Sequence, residues 1–456
     1  MTPIRHSESD EPSPDLNNII EALSDPSAFP GNVDEVIAIE THASAVFIAG
    51  DSVYKLKKPV NFGFLNYESA SRRRLMCHLE VQVNQELAPD VYRGVVDLVT
   101  DDGEIRIGRA GRVIDHLVHM HRLPERATLA SLMEQESAQI EDIDRIAMRI
   151  AGFHRRAYRS PEIDRWGLPA AVRRNVEENF EQVAPYLNRA IPPAAFDGIA
   201  NYARNFLLER RGLLNARVRD GFTRDGHGDI RAEHVYVQDE VRIIDRIEFN
   251  DRIRYGDVAA DVGFLAMDLD ASNRPDLSDR LIETYQDRSD LDVDSVLDFY
   301  RCYRAYVRGK VTAFRLDQSP EERQQAISIE ARRFFHLASR YASNDRRPRL
   351  IVMTGLTGSG KSTLARHLAA VLPAAVLDSD RTRKRLAGMD ATSRQTVPFG
   401  SGIYSEELTE RVYGEHEMVL ASSLNGARRS SSMRPTHARV IAGPRLIWPL
   451  PLTPGS

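Results

Sequence analysis

The chain has 456 residues, 42% of them hydrophobic and 28% charged, with a formal net charge of −5. That length accommodates two or three domains with their own cores, and the mild acidity argues against a dedicated nucleic-acid binder, which needs a basic bias. Two cysteines, Cys77 and Cys302, exclude a disulfide framework and lack metal-ligand spacing. No apolar run approaches the roughly eighteen residues of a membrane span. The polar start MTPIRHSESDEPSPD lacks the apolar stretch of a signal peptide, so a cytoplasmic protein without a membrane partner is expected.

Residues 1–30 are rich in Ser, Pro and acids, and read as a flexible leader in which Leu16 to Leu23 is a short helix. From Val36 the pattern becomes strand-like: Val36-Ile37-Ala38-Ile39, then Ala45-Val46-Phe47-Ile48, a Gly50-Asp51 turn, and Val53-Tyr54-Lys55-Leu56-Lys57. The turn chemistry makes the last two a hairpin. Tyr67 to Leu87 reads as a charged amphipathic helix, followed by strands over Val91 to Val99 and Ile105 to Ile107. From about Leu129 to the 340s the pattern is helical, interrupted by short strands from Val235 to Ile244. Asn344-Asp-Arg-Arg-Pro348 is a polar, proline-closed linker.

The interruption carries chemistry. His227-Gly228-Asp229-Ile230-Arg231-Ala232-Glu233-His234-Val235 is followed by Ile243-Ile244-Asp245, with apolar residues flanking both acids. Phosphoryl transfer to a hydroxyl needs one carboxylate to orient the acceptor and take its proton, and another to hold the Mg²⁺ that bridges the ATP phosphates. Asp229 on a loop and Asp245 at a strand end supply those two roles; a surface loop with incidental acids is the plain alternative.

HGDIRAEHV with IIDRIEFN resembles the aminoglycoside-phosphotransferase-like kinases, whose fold is a two-lobed relative of the protein kinases. The resemblance implies that Lys55, in Val-Tyr-Lys, touches the α/β-phosphates and that Glu80 pairs with it. It also implies that Val118-His119-Met120 forms the hinge that carries adenine, with Val118 and Met120 as contacts. Phe249-Asn250-Asp251-Arg252 and Gly256-Asp257-Val258-Ala259-Ala260-Asp261 resemble the stretch that closes the site. One departure stands out. The family's asparagine, a metal ligand beside the catalytic aspartate, is His234 here, and imidazole is a poorer ligand for hard Mg²⁺.

Further on, Leu350-Ile351-Val352-Met353 runs into Gly355-Leu-Thr-Gly-Ser-Gly-Lys-Ser362, and Thr363 to Leu372 has helical periodicity. Strand, glycine-rich loop and helix in this order form a phosphate-binding loop. Gly355, Gly358 and Gly360 permit the tight turn, and the amides of Ser359 and Thr363 lie within reach of a polyphosphate. Lys361 reaches the β/γ-phosphates, and the Ser362 hydroxyl holds Mg²⁺. Leu377-Asp-Ser-Asp-Arg-Thr-Arg-Lys384 resembles an element of gluconate-kinase and zeta-toxin type P-loop proteins. That resemblance implies that Asp380 orients an acceptor hydroxyl and Arg383 binds an anionic substrate group. Together the two halves resemble a bacterial group in which an aminoglycoside-phosphotransferase-like kinase is fused to a P-loop ATP-binding domain.

The end departs from that pattern. No Asp or Glu follows Glu417, although a P-loop kinase needs a further strand ending in an acid. Read one base earlier, with suitable third bases, the codons from Arg429 onward give Val-Val-Val-Asp-Ala-Thr-Tyr-Ala, a strand of the missing kind. A disordered natural tail is the alternative.

The expected fold is therefore an α+β protein-kinase-like bilobal domain over 31–345, with an N-lobe over 31–117 and a C-lobe over 121–345. A partial α/β P-loop NTPase domain over 349–425 and a disordered or frameshifted tail over 426–456 complete it. The expected function is ATP- and Mg²⁺-dependent phosphorylation of a small-molecule hydroxyl. A nucleotide-binding regulator without turnover, or kinase chemistry in the P-loop half, are the alternatives.

Overall fold

In a computed structural model, residues 15–63, 65–108, 110–343, 349–353, 359–371, 374–389, 402–429 and 438–442 are described. The chain forms two compact units, residues 1–163 with 224–256, and residues 164–223 with 257–456.

The first unit is built on a six-stranded antiparallel sheet of β1 (Val36–Glu40), β2 (Ser44–Ala49), β3 (Ser52–Lys57), β4 (Tyr92–Asp101), β5 (Glu104–Ile107) and β6 (Arg112–His121). Its order is β1-β2-β3-β6-β4-β5. The two-residue alternation of a strand divides β3 cleanly. Tyr54 and Leu56 point into a core with Phe47, Leu98, Ile107 and Leu117, and Lys55 and Lys57 therefore share the opposite face. The division expected at 117–121 falls inside β6, which pairs with β3 and β4.

Residues 15–30 are not the flexible leader expected. A helix, α1 (Leu16–Ala22), and the turn after it place Ile19, Leu23, Ala28 and Phe29 in the core under Phe47 and Tyr54. Burying these apolar side chains offsets the entropy of ordering the segment.

The second helix, α2 (Ala70–Asn84), is capped by Ser69, whose hydroxyl accepts from the Arg72 amide. It buries Cys77, Glu80 and Asn84, residues three and seven positions apart that share one face. After α3 (Leu129–Glu134) and α4 (Ile140–Arg156), the unit is completed by residues 224–256 and their hairpin, Val235–Val237 with Val241–Ile243.

The second unit is helical through Ser343, with the buried helix Val258–Ala271 among its longest apolar stretches. Arg217 and Asp257 form a bidentate pair within it. A parallel sheet follows, in which Ala438–Ala442 lies between the strands Arg349–Met353 and Ala374–Asp378. The chain is thus α+β first, then α/β. Within the segment expected as a tail, the helix Glu406–Arg429 ends and Ala438–Ala442 supplies that central strand. Among the described residues, no helix is long and apolar enough to cross a membrane.

Candidate active site

Lys55 lies on β3 opposite Val118 of β6. Its Nζ is 2.9 Å from Glu80 Oε1 and 2.8 Å from Asp245 Oδ1. The other oxygen of Glu80 is taken by Lys57, at 2.6 Å. Lys57 Nζ also lies 2.5 Å from Glu248 Oε1, to which the Tyr67 hydroxyl donates at 2.7 Å. Two lysines and three carboxylates thus form one connected network across β3, α2 and the segment 245–248.

These charges are compensated where they are buried. Burial alone lowers the pKa of Lys55, but Asp245 and Glu80 beside it outweigh that and hold it well above the usual lysine value. Burial raises Glu80, yet Lys55 and Lys57 bring it below the ordinary glutamate range. The Lys55 ammonium, opposed by burial, holds Asp245 far below the carboxylate range.

Asp245 sits in the left-handed region with φ 64°, a conformation that aspartate tolerates better than most side chains. Its amide donates to the Tyr92 hydroxyl at 3.1 Å. The next residue, Arg246, is almost fully buried and donates to the carbonyls of Val83, Asp225 and Gly226. Asn84 bonds the backbone of Arg246 through both ends of its amide, Nδ2 donating to the carbonyl and Oδ1 accepting from the N–H. The helix that bears Glu80 is therefore fastened to the segment that bears Asp245.

His227 joins the two acids. The Asp229 amide donates to its Nδ1 at 3.2 Å, which leaves the proton on Nε2 to donate to the Ile244 carbonyl at 3.1 Å. Gly228 between them has φ 89°, and a Cβ there would stand 3.0 Å from the Ile253 carbonyl oxygen, so only glycine fits without displacement. His234 Nδ1 donates to the Asp229 carbonyl at 2.9 Å, and its Nε2 accepts from Arg231 at 2.9 Å and lies 3.8 Å from Asp245 Oδ2. Arg231 Nε donates to Asp229 Oδ2 at 3.1 Å.

Val118 and Met120 are buried within β6 in one cluster with Tyr92 and Cys77, and Val53 and Ile244 pack against it. His119 turns to the other face, stacked on Tyr54 at 4.7 Å. The structure brings together Lys55, Glu80, Asp229, His234 and Asp245. Sequence reasoning missed Lys57, Glu248, Tyr67 and Arg231; the strand period that puts Lys57 beside Lys55 was the available signal.

In the P-loop half, Gly355 and Gly358 lie outside the described residues. Gly360 has φ 81°, and Lys361, which opens the helix Lys361–Val371, is 3.5 Å from Ser359 through their side chains. Ser362 and Thr363 are exposed in the first turn. Asp380 pairs with Lys384 at 2.8 Å. Arg383 is buried over the Tyr404 ring, whose hydroxyl lies 3.5 Å from Asp380.

Among the described residues of the first unit, the partly exposed carboxylate of Asp245 suits a divalent cation. Among the described residues, no group of three or more His, Cys, Asp or Glu side chains forms a metal site. Mg²⁺ is commonly held by one or two carboxylates, waters and substrate phosphates, and Asp245 fits that pattern.

Residues 350–430 match the family described as AAA domain. The uncharacterized protein Rv2004c of Mycobacterium tuberculosis is 33% identical over 378 residues, which cover 82% of this chain and 73% of that one. Among solved structures, a choline/ethanolamine kinase family protein from Mesorhizobium loti aligns with TM-score 0.45 and 13% identity, over 77% of this chain and 98% of that one. A microcompartment-associated aminopropanol kinase aligns with TM-score 0.43 and 14% identity, over 73% and 98%.

Proposed function

This chain belongs to the family of the mycobacterial protein Rv2004c, and we propose that its first unit is an ATP- and Mg²⁺-dependent phosphotransferase acting on a small-molecule hydroxyl. The observation that carries this reading is Lys55 held between Glu80 and Asp245, with Asp229 tied to the same segment through His227.

In this reading Lys55 binds the α/β-phosphates and Glu80 fixes its direction. Met120 offers apolar surface to the adenine on the face that also carries Lys55, with Val118 packed beneath it. Asp229 orients the acceptor hydroxyl and takes its proton as the oxygen attacks the γ-phosphorus. Asp245 would hold the cation, which would supply positive charge against the negative charge developing on the phosphoryl group. Catalysis rests on positioning and charge, which is what a network with every buried group compensated is suited to supply.

The P-loop half is read as a second nucleotide site. Ser359, Gly360 and Thr363 contribute backbone, Lys361 meets the β/γ-phosphates and Ser362 meets Mg²⁺. Asp380 and Arg383 face an acceptor there.

The test is Mg²⁺-dependent ATP turnover of the full chain against a panel of small hydroxyl compounds, beside Asp229→Asn. Acceptor-stimulated turnover that Asp229→Asn reduces by about 10²- to 10⁴-fold is expected. Turnover indifferent to Asp229 would sink the reading.

A further inference from the structure

By the resemblance of His227-Gly-Asp-Ile-Arg-Ala-Glu-His234 to the kinase motif, His234 stands where that motif carries an asparagine, the ligand of a second metal ion. Both ring nitrogens are engaged. Nδ1 donates to the Asp229 carbonyl at 2.9 Å, so the lone pair lies on Nε2, and that lone pair accepts from Arg231 Nη2 at 2.9 Å. The atom that could coordinate a cation therefore holds a guanidinium, in keeping with the poor match between imidazole and Mg²⁺.

Arg231 is fixed from three sides. Its Nε donates to Asp229 Oδ2 at 3.1 Å, one Nη pairs with Glu233, and the other lies on His234, whose Nε2 is 3.8 Å from Asp245 Oδ2. Its permanent charge thus lies beside the base and close to the cation-holding carboxylate. A planar guanidinium presents several donors to phosphate oxygens and does not lose its charge near neutral pH.

We propose that Arg231 is a further catalytic residue, held by His234 so that its guanidinium meets the transferring phosphoryl group in place of a second metal ion. The inference rests on the phosphotransferase reading above. In the step, the acceptor oxygen forms a bond to the γ-phosphorus and the bond from that phosphorus to the β,γ-bridging oxygen breaks. The electron pair leaves with ADP, and the acceptor's proton passes to Asp229. Arg231 donates to the γ-phosphoryl oxygens while its Nε stays on Asp229. His234 is a positioning residue.

Electron paramagnetic resonance of Mn²⁺ with a non-hydrolysable ATP analogue, on full chain carrying Lys361→Ala to silence the P-loop site, tests this without turnover. One Mn²⁺ per bound nucleotide is expected, rising to two when His234→Asn is added. Two Mn²⁺ with His234 present, the second lost in His234→Ala, would overturn the inference. Nucleotide binding unaffected by Lys55→Ala would instead overturn the underlying reading. In turnover, Arg231→Ala is expected to lower kcat by about 10²-fold or more without weakening nucleotide binding, with partial recovery in Arg231→Lys. An Arg231→Ala protein with undiminished kcat also overturns it.

Discussion

Lys55 and Asp245 are paired across 190 positions of sequence, with 2.8 Å between Nζ and Oδ1. Lys55 also bonds one oxygen of Glu80, while Lys57 bonds the other. The consequence is a division of labour. In the proposed reading Lys55 turns from Asp245 to a phosphate while Glu80 stays neutralised by Lys57, so the helix that carries it has no electrostatic reason to move. Arg246 and Asn84 fasten the same helix by hydrogen bonds, which makes the Lys55–Glu80 pair a preassembled part of the site.

Lys57→Met leaves Glu80 and Glu248 buried with less compensating charge. Removing one partner of a buried pair typically costs about 3–5 kcal/mol, so urea denaturation should show a loss of that order. Adding Glu248→Gln should restore part of it, since one uncompensated carboxylate is removed. A Lys57→Met protein as stable as the parent would show that the network contributes no net stability.

Acid should weaken the first unit through the same groups. Glu80 and Asp245 have pKa values below their ordinary ones in the folded chain, so the folded state binds their protons more weakly than the unfolded chain does. Their contribution is complete above the unfolded carboxylate range, about pH 4, and fades as pH falls through the folded values. Lys55 and Lys57 are raised; their contribution is complete below the unfolded lysine value, about pH 10.4, and is lost as pH rises beyond it. Denaturation midpoints should therefore be flat between these limits with respect to these groups. Asp245→Asn should make the acid limb shallower; an unchanged limb would remove Asp245 from this account.

Much of the site was legible because its residues sit in short motifs with a mechanical reason for their spacing. Asp229 and Asp245 flank a hairpin in sequence as they do in space, and Lys55 and Glu80 follow from a strand and a helix face. The strand period put Lys57 on the face of Lys55, but its role and that of Glu248 were not legible: such a lysine reads as a solvated face until α2 and the segment after Asp245 cover it. Phe29 was hidden similarly, since the few apolar residues of a polar stretch show their purpose only against the sheet. The left-handed backbone at Asp245 had no sequence signal, because the residue is neither glycine nor within a turn motif.

The AAA domain match ends at residue 430, next to the place where an earlier reading frame yields Val-Val-Val-Asp. In the present chain Ala438–Ala442 fills the middle of the parallel sheet, and it carries no acid. A frameshift after Arg428 requires TCG codons at Ser430, Ser431 and Ser432. Sequencing the gene checks this, and any other serine codon there removes the idea.

Two nucleotide sites in one chain should be separable by binding stoichiometry. Lys55 and Lys361 belong to different units and to different local structures, a lysine on an antiparallel strand and a lysine opening a helix after a glycine-rich turn, and both are proposed to bind phosphate. Equilibrium dialysis with a non-hydrolysable ATP analogue should give two nucleotides bound per chain, and one in either Lys55→Ala or Lys361→Ala. The remaining site in Lys361→Ala should keep its acceptor-stimulated turnover, because Asp229 and Asp245 lie with Lys55 in the first unit. If Lys361→Ala instead removes all turnover while Asp229→Asn leaves it intact, the chemistry belongs to the P-loop half and the first unit becomes a binding module.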